Sequence, residues 1–559
     1  MIVFISIAAS SDKPDISSKS VLVLDLTQVY KEQEQNDPLG SFTGKSDDDI
    51  PGLYRAVQLI EHAKTDNKIS GIYIKCIDNA NGFAASDELR NALIDFKTSK
   101  KFVIAYGDLI SQNGYYVANV ADKVYCNPKG TVDWRGMAAT LFFMKGTLEK
   151  LDIEPQIFYA GKFKSATEPL RETKMTEANK LQTLVYVNDI YSRMLLAASQ
   201  KTKSDTATLH ALANTAAIQT ANDALTHKLV DGLRYDDEVK NEIIQNLKLK
   251  ATDKINFLSF GKYSKAVDLP RKGSDRIAII YAEGDIVDGE GSDGQVGSDT
   301  YKNLIRKARL DKNVKAIVLR VNSPGGSALA SEVIWREVTI ARKDKPVVVS
   351  FGDVAASGGY YIACNADSIF AQPNSITGSI GVFGIIPNMQ RFFEGKLGIT
   401  FDGVKTGPYA DMLTITRALN PAERVFIQNS IDTIYADFKG RVAEGRKLSL
   451  VMVDSVAQGR VWTGSDALKV GLVDKIGNIK DAVNCAARMA KLKNYNLKEY
   501  PEKKSFLQEL METTKSDVSV RMAKEEIGEE EYFMLKKLKQ VKQMMGIPQA
   551  RMPFTMDIQ

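Results

Sequence analysis

Histidine is almost absent from this sequence. Its 559 residues hold three, His62, His210 and His227, all in the first half, in stretches that read as ordinary amphipathic helices or their ends. None sits in a motif, so the commonest general base for an activated serine has no candidate. Cysteine is also scarce: Cys76, Cys126, Cys364 and Cys485 are widely separated and form neither a CxxC pair nor a Cys/His ligand spacing. No zinc or other metal site is expected, and the cysteines read as small buried hydrophobes. Charge of one sign is lacking too. A net charge of +5 and 8% aromatic residues, with no basic stripe interleaved with aromatics, leave no nucleic-acid footprint. Long apolar runs are missing as well. Met1 to Ala9 is apolar but Ser10 to Lys19 is polar, whereas a membrane-spanning helix needs about 20 apolar residues. Without a basic leader or a cleavage site this start is not a complete signal peptide. Residues 1–19 read as the remnant of a longer membrane anchor and its linker.

What is present is an ordinary globular composition, 44% hydrophobic and 26% charged, in a chain too long for one core. The chain also repeats itself. GIYIK (71–75), FVIAYGD (102–108) and NGYYVANVADKVYCNP (113–128) return as AIVLR (316–320), VVVSFGD (347–353) and GGYYIACNADSIFAQP (358–373). Asp108 matches Asp353 and Pro128 matches Pro373 at one constant offset, without a gap. TANDALTHKLVDG (220–232) matches TGSDALKVGLVDK (463–475) further on. Within each copy short β-branched runs alternate with helical patterns, which predicts βαβ units on parallel sheets. The fold class is therefore α/β, with two tandem domains of one fold from an internal duplication, over 20–246 and 276–500. Residues 247–275, rich in Lys, Ser and Gly, read as the linker. Residues 501–559 read as a charged helical tail, in which EEIGEEEYFMLKKLKQVKQMM (525–545) has a helical pattern with its charges ordered along the macrodipole.

The two copies share a scaffold but differ in special residues. NSPGGS (322–327) follows a strand in the second copy, where the first reads IDNANG (77–82). Paired glycines there let backbone N–H groups face a ligand, as an oxyanion hole requires. The second copy reads DVAASGGYY (353–361), with Ser357 at a strand-to-helix turn, where the first reads DLISQNGYY (108–116), with Gln112 in the serine's place. Alone, Ser357 would pass as a helix N-cap. Beside NSPGGS, on a duplicated fold whose other copy lacks both, it is a candidate nucleophile. A lysine serves as its base if burial keeps it neutral. Lys164 in GKFKSATEP (161–169) is the candidate, and with one residue of slippage it aligns with Ala410 of the second copy.

In combination GKFKSATEPL, RVNSPGGSALASE, FGDVAASGGYYIA and TGSIGVFG resemble the long, duplicated form of signal peptide peptidase A, a serine protease family on the ClpP/crotonase fold. The likeness spans about residues 20–490. It implies Ser357 as nucleophile, Lys164 as general base and Ser379 as the residue orienting the lysine. Gly358 and either Gly325 or Gly326 become the oxyanion donors, with no cofactor required. It further implies signal peptides and other extended peptides as substrates. The expected assembly is a homo-oligomer, taken as a tetramer, anchored by its N-terminus with its domains on the non-cytoplasmic face of the inner membrane. Two other readings stay open on the residues alone: a crotonase-type acyl-CoA enzyme and a catalytically inactive membrane scaffold.

Overall fold

The structure is a computed structural model that describes residues 13–34, 49–268, 273–502, 544–552 and 557–558. The chain divides into two compact units, one of residues 1–136 with 194–270 and one of 137–193 with 271–559.

The first unit is built on β1 (Ser20–Asp25), β2 (Ile69–Lys75), β3 (Phe102–Ile110), β4 (Lys123–Val132), β7 (Gly232–Leu233) and β8 (Phe257–Ser259). They form one sheet in the order β7-β4-β3-β2-β1-β8, with every pair parallel. Runs such as SVLVLD and ISGIYIK are apolar nearly throughout because helices Leu53–Thr65 and Phe83–Lys97 bury their apolar sides in the same unit.

In the second unit β9 (Arg276–Glu283), β12 (Val314–Ser323), β14 (Val347–Ala356), β15 (Ser368–Ala371), β16 (Ile376–Gly378), β18 (Val461–Thr463), β19 (Lys475–Ile476) and β20 (Asn496–Tyr500) form an eight-stranded sheet. It is parallel except where β16 meets β18. β2, β3 and β4 of the first unit recur as β12, β14 and β15, following the sequence repeat. A second sheet runs β11-β10-β13-β21-β17-β6, from β6 (Glu154–Ala160), β10 (Asp285–Val287), β11 (Gln295–Gly297), β13 (Gly325–Ser327), β17 (Val382–Asn388) and β21 (Gln549–Arg551). A short pair joins β5 (Ala139–Thr140) to β22 (Asp557–Ile558).

Two sequence expectations meet a different arrangement. Residues 137–193, which the repeat places in the N-terminal domain, pack in the second unit. β6 pairs antiparallel with β17 along all seven of its residues, from Glu154 opposite Asn388 to Ala160 opposite Val382, and Phe158 and Ala160 enter that unit's core. The stretch read as a linker supplies β8 and helix Phe260–Ala266, whose Phe260 and Tyr263 are buried in the first unit. The helical pattern at 525–545 lies outside the described residues except for Met544 and Met545, and the tail beyond it forms strands.

β6 carries the chain towards Lys164, so its packing matters for function. Phe158 is buried, with the Arg424 guanidinium over its ring at 5.2 Å. Phe158→Ala is expected to cost about 3–5 kcal/mol in denaturant unfolding, with proteolytic activity falling in parallel. A loss below about 1 kcal/mol, no more than about one buried methylene carries, would mean that β6 is not held by this core.

Candidate active site

Ser357 follows β14 and caps the helix Gly358–Tyr361, with backbone angles φ 54 and ψ −111. A non-glycine residue there stores about 1–3 kcal/mol of strain. Two backbone hydrogen bonds oppose it, Ser357 N–H to the Gly378 carbonyl and Tyr361 N–H to the Ser357 carbonyl, both at 2.8 Å. The side chain is thereby thrown off the strand's line, and its Oγ lies 3.4 Å from the Gly381 carbonyl.

Lys164 follows β6 and precedes the 3₁₀ turn Ser165–Thr167. Its Nζ stands 2.9 Å from Ser357 Oγ and 3.1 Å from both the carbonyl oxygen and the Oγ of Ser379. Lys164, Ser357 and Ser379 are 1% exposed or less, and the Phe383 ring centroid lies 5.9 Å from Nζ. Burial alone holds Lys164 well below the ordinary lysine value. Among the described residues no carboxylate pairs with it. Glu168, four residues on, is turned to other donors: the Thr176 hydroxyl at 2.6 Å, the Thr176 N–H at 3.2 Å and Asn179 Nδ2 at 2.8 Å. An ion pair that would push the lysine back up is thus removed by three hydrogen bonds.

Of the paired glycines, Gly325 is the one that lies against Gly358. It has φ 97, and a Cβ there would stand 2.6 Å from Gly358 N, so a side chain at this position would collide with that nitrogen. Gly326 packs instead against the Ile286 carbonyl of β10. The structure therefore gathers Ser357, Lys164, Ser379, Gly358 and Gly325 at one place and sets Gly326 one residue along the strand.

Among the described residues the first unit has no equivalent site. Gln112 is committed to local structure, accepting from the N–H groups of Arg135 and Gly136 at 3.1 Å and donating to the Gly136 carbonyl at 2.9 Å. Ser111 caps its helix by accepting from Gly114 N–H and donates to Asp78. The three histidines all belong to this unit, whereas Ser357 belongs to the second.

Sequence reasoning did not find Gly459, Phe383 or the Glu168 partners. Gly459 has φ 74, and a Cβ there would meet the backbone N, Cα and Cβ of Lys164 at 2.7 Å. A lone glycine far along the chain carries no signal of that approach. Gly459→Ala is expected to leave a folded protein with kcat/KM lowered about 10²-fold, since a shift of about 1 Å in a catalytic group costs that much. Full activity in the variant would show that the lysine tolerates displacement.

The family model described as Peptidase family S49 matches the chain twice, over residues 95–250 and 339–493. Protease 4 of Salmonella typhi is 37% identical over 90% of this chain and 83% of its own length. Protease 4 of Haemophilus influenzae is 34% identical over 88% of this chain and 82% of its own. The chloroplastic serine protease SPPA of Arabidopsis thaliana is 33% identical over 77% of this chain and 64% of its own. The duplicated match agrees with the tandem α/β architecture, and the relatives run through both copies. This chain belongs to peptidase family S49 and is a serine protease of the long, duplicated form.

Proposed function

We propose that Ser357 is the nucleophile and Lys164 the general base of a Ser-Lys dyad that hydrolyses extended peptides, signal peptides among them. The observation that carries this reading is the 2.9 Å separation of Nζ and Oγ at a lysine with no carboxylate beside it. A neutral amine has two N–H donors and one lone pair. The carbonyl and Oγ of Ser379 take the two donors, which aims the lone pair at the Ser357 hydroxyl, so Ser379 acts as the orienting residue.

In the forward step Nζ takes the hydroxyl proton and Oγ attacks the peptide carbonyl carbon. The oxyanion is held by the N–H groups of Gly358 and Gly325, the second exchanging the Ser323 Oγ to which it donates at 3.2 Å, a kind of support worth about 3 kcal/mol per donor. The protonated lysine gives its proton to the leaving amine, and the acyl-enzyme remains. Water, deprotonated by the same amine, then releases the acid and restores Ser357. Each step uses only this chain's groups and water. Attachment to a membrane through the N-terminal segment, exposure of both units on the non-cytoplasmic face and assembly into a tetramer complete the proposal, and rest on the resemblance to signal peptide peptidase A.

Arginine cannot be deprotonated in a protein, so Lys164→Arg keeps the positive charge and removes the base. Lys164→Arg and Lys164→Ala are expected to fold and to lose kcat/KM alike, by about 10⁴-fold or more. The assay is a fluorogenic peptide, with Ser357→Ala as the control for contaminating protease. Substantial cleavage by a folded Lys164→Arg variant would overturn the dyad.

A further inference from the structure

The helix Glu177–Thr202 carries a polar stripe where a core-facing helix carries an apolar one. Asn179, Gln182, Tyr186, Asp189 and Arg193 recur at helical spacing and so share one face. Asn179, Gln182 and Tyr186 are buried, and a buried amide costs stability unless its groups are engaged. Those of Gln182 are engaged on two sides. Its Nε2 faces the Phe163 carbonyl at 3.1 Å, Ser165 Oγ at 3.0 Å and Asn179 Oδ1 at 3.2 Å. Its Oε1 accepts from the Val461 N–H of β18 at 3.3 Å. A backbone N–H donates and a carbonyl accepts, so the amide can sit only one way round. Asn179 is fixed likewise, with Nδ2 on the Glu168 carboxylate at 2.8 Å and Oδ1 towards Gln182. Further along the stripe Asp189 accepts from the Thr463 hydroxyl at 2.6 Å and Arg193 donates to Ser465, so this face follows residues 461, 463 and 465.

What Gln182 joins is the site itself. Phe163 and Ser165 flank Lys164. Val461 stands opposite Gly378 where β18 pairs with β16. The Gly378 carbonyl takes the Ser357 N–H at 2.8 Å, and the Ser379 N–H donates to the Arg460 carbonyl at 2.7 Å. One side chain therefore ties the segment that bears the lysine to the strand that registers both serines. The Phe163 N–H donates to the Gln458 carbonyl at 2.7 Å, so Phe163 is held by its N–H on one side and by its carbonyl on the other. Duplication supplies a comparison. With Tyr191 matched to Tyr435, Gln182 falls on Phe426, which is exposed. The copy with Ala410 in place of the lysine has no amide there.

We infer that Gln182 is a positioning residue of the protease, a clamp that sets the distance from Lys164 Nζ to Ser357 Oγ by tying Phe163 and Ser165 to β18. This rests on the dyad reading for the chemistry, while the clamp stands on its hydrogen bonds.

The test reads the rate at which an uncharged fluorophosphonate acylates Ser357 in the full-length chain, per folded molecule and across pH. Gln182→Met keeps the length of the side chain and has no donor. The plateau rate is expected to fall about 10²-fold, the cost of about 1 Å of misplacement, with the midpoint unmoved. Gln182→Glu keeps an acceptor for Val461 but sets a carboxylate against the Phe163 carbonyl, next to the lysine segment. A nearby negative charge favours the ammonium, so the limb is expected to move to higher pH. The charged groups around this segment are Glu168 with Arg171 at 4.0 Å, Arg460 and Lys162 over the Phe163 ring at 5.5 and 5.8 Å, and Asp454 on Gln458 at 3.1 Å. They are the same in every variant. Asp189→Ala removes a contact on the same face beyond the lysine segment and should lower stability, with plateau and midpoint unchanged. A native plateau in folded Gln182→Met, an unmoved midpoint in folded Gln182→Glu, losses in both that merely follow the unfolded fraction, or an equal plateau loss in Asp189→Ala would overturn the inference, leaving Gln182 an ordinary core amide. Failure of the dyad reads differently: the pH limb of the native chain would be absent or would survive in Lys164→Ala.

Discussion

The burial of one amino group without a counter-charge is the constraint on which the rest of this site depends. An isolated ammonium in a dry interior costs several kcal/mol, so the group sheds its proton instead. Lys164 is 1% exposed, and its near neighbours are two serines and a phenylalanine ring. The remaining features keep that condition true. Glu168 is diverted to Thr176 and Asn179, and Gly459 lets the chain at residue 458 close over the lysine backbone. β6 delivers the lysine to the serine through its pairing with β17. The condition also has a cost in stability. Between the lowered value and 10.5 the unfolded chain holds a proton that the folded chain refuses, so stability contributed here falls as pH falls across that window.

Duplication explains how such a site arises on a scaffold present twice. Both copies keep the parallel strands, but the first has turned its loops to structural use. Gln112 ties down Arg135 and Gly136, and Asn79, in the loop that replaces NSPGGS, donates to Ser86 of the helix that follows. The segment that carries Lys164 lies in the first copy by sequence, yet packs in the second unit by contact. One unit thus holds both Lys164 and Ser357.

The repeat, the α/β class and the core strands were legible because fully buried parallel strands leave continuous β-branched runs, such as VKAIVLRV in β12. Ser357 and the glycine loop were legible by difference between the copies. Lys164 was reached through the missing histidines and the family motif, while its surroundings were not legible at all. Alternation along β6 reports one buried face but not which strand it will pair with, so nothing in EPQIFYA announced β17. Gln549–Arg551 is three residues long and polar at both ends, too short for a strand signal, and its partner is more than two hundred residues away. Composition likewise hid β8, because the lysines and glycines around it outweigh the three residues that pair with β1.

The most direct measurement of the central claim is the pH dependence of the rate at which Ser357 is acylated by an uncharged fluorophosphonate. Only the unprotonated amine can accept the serine proton, so the rate should rise with pH along a single limb and level off once Lys164 is neutral. Because burial lowers this lysine, the midpoint should lie clearly below 10.5, and the limb should vanish in Lys164→Ala. A flat profile, a midpoint at or above 10.5, or a limb that survives in Lys164→Ala would contradict a buried, neutral lysine as the base.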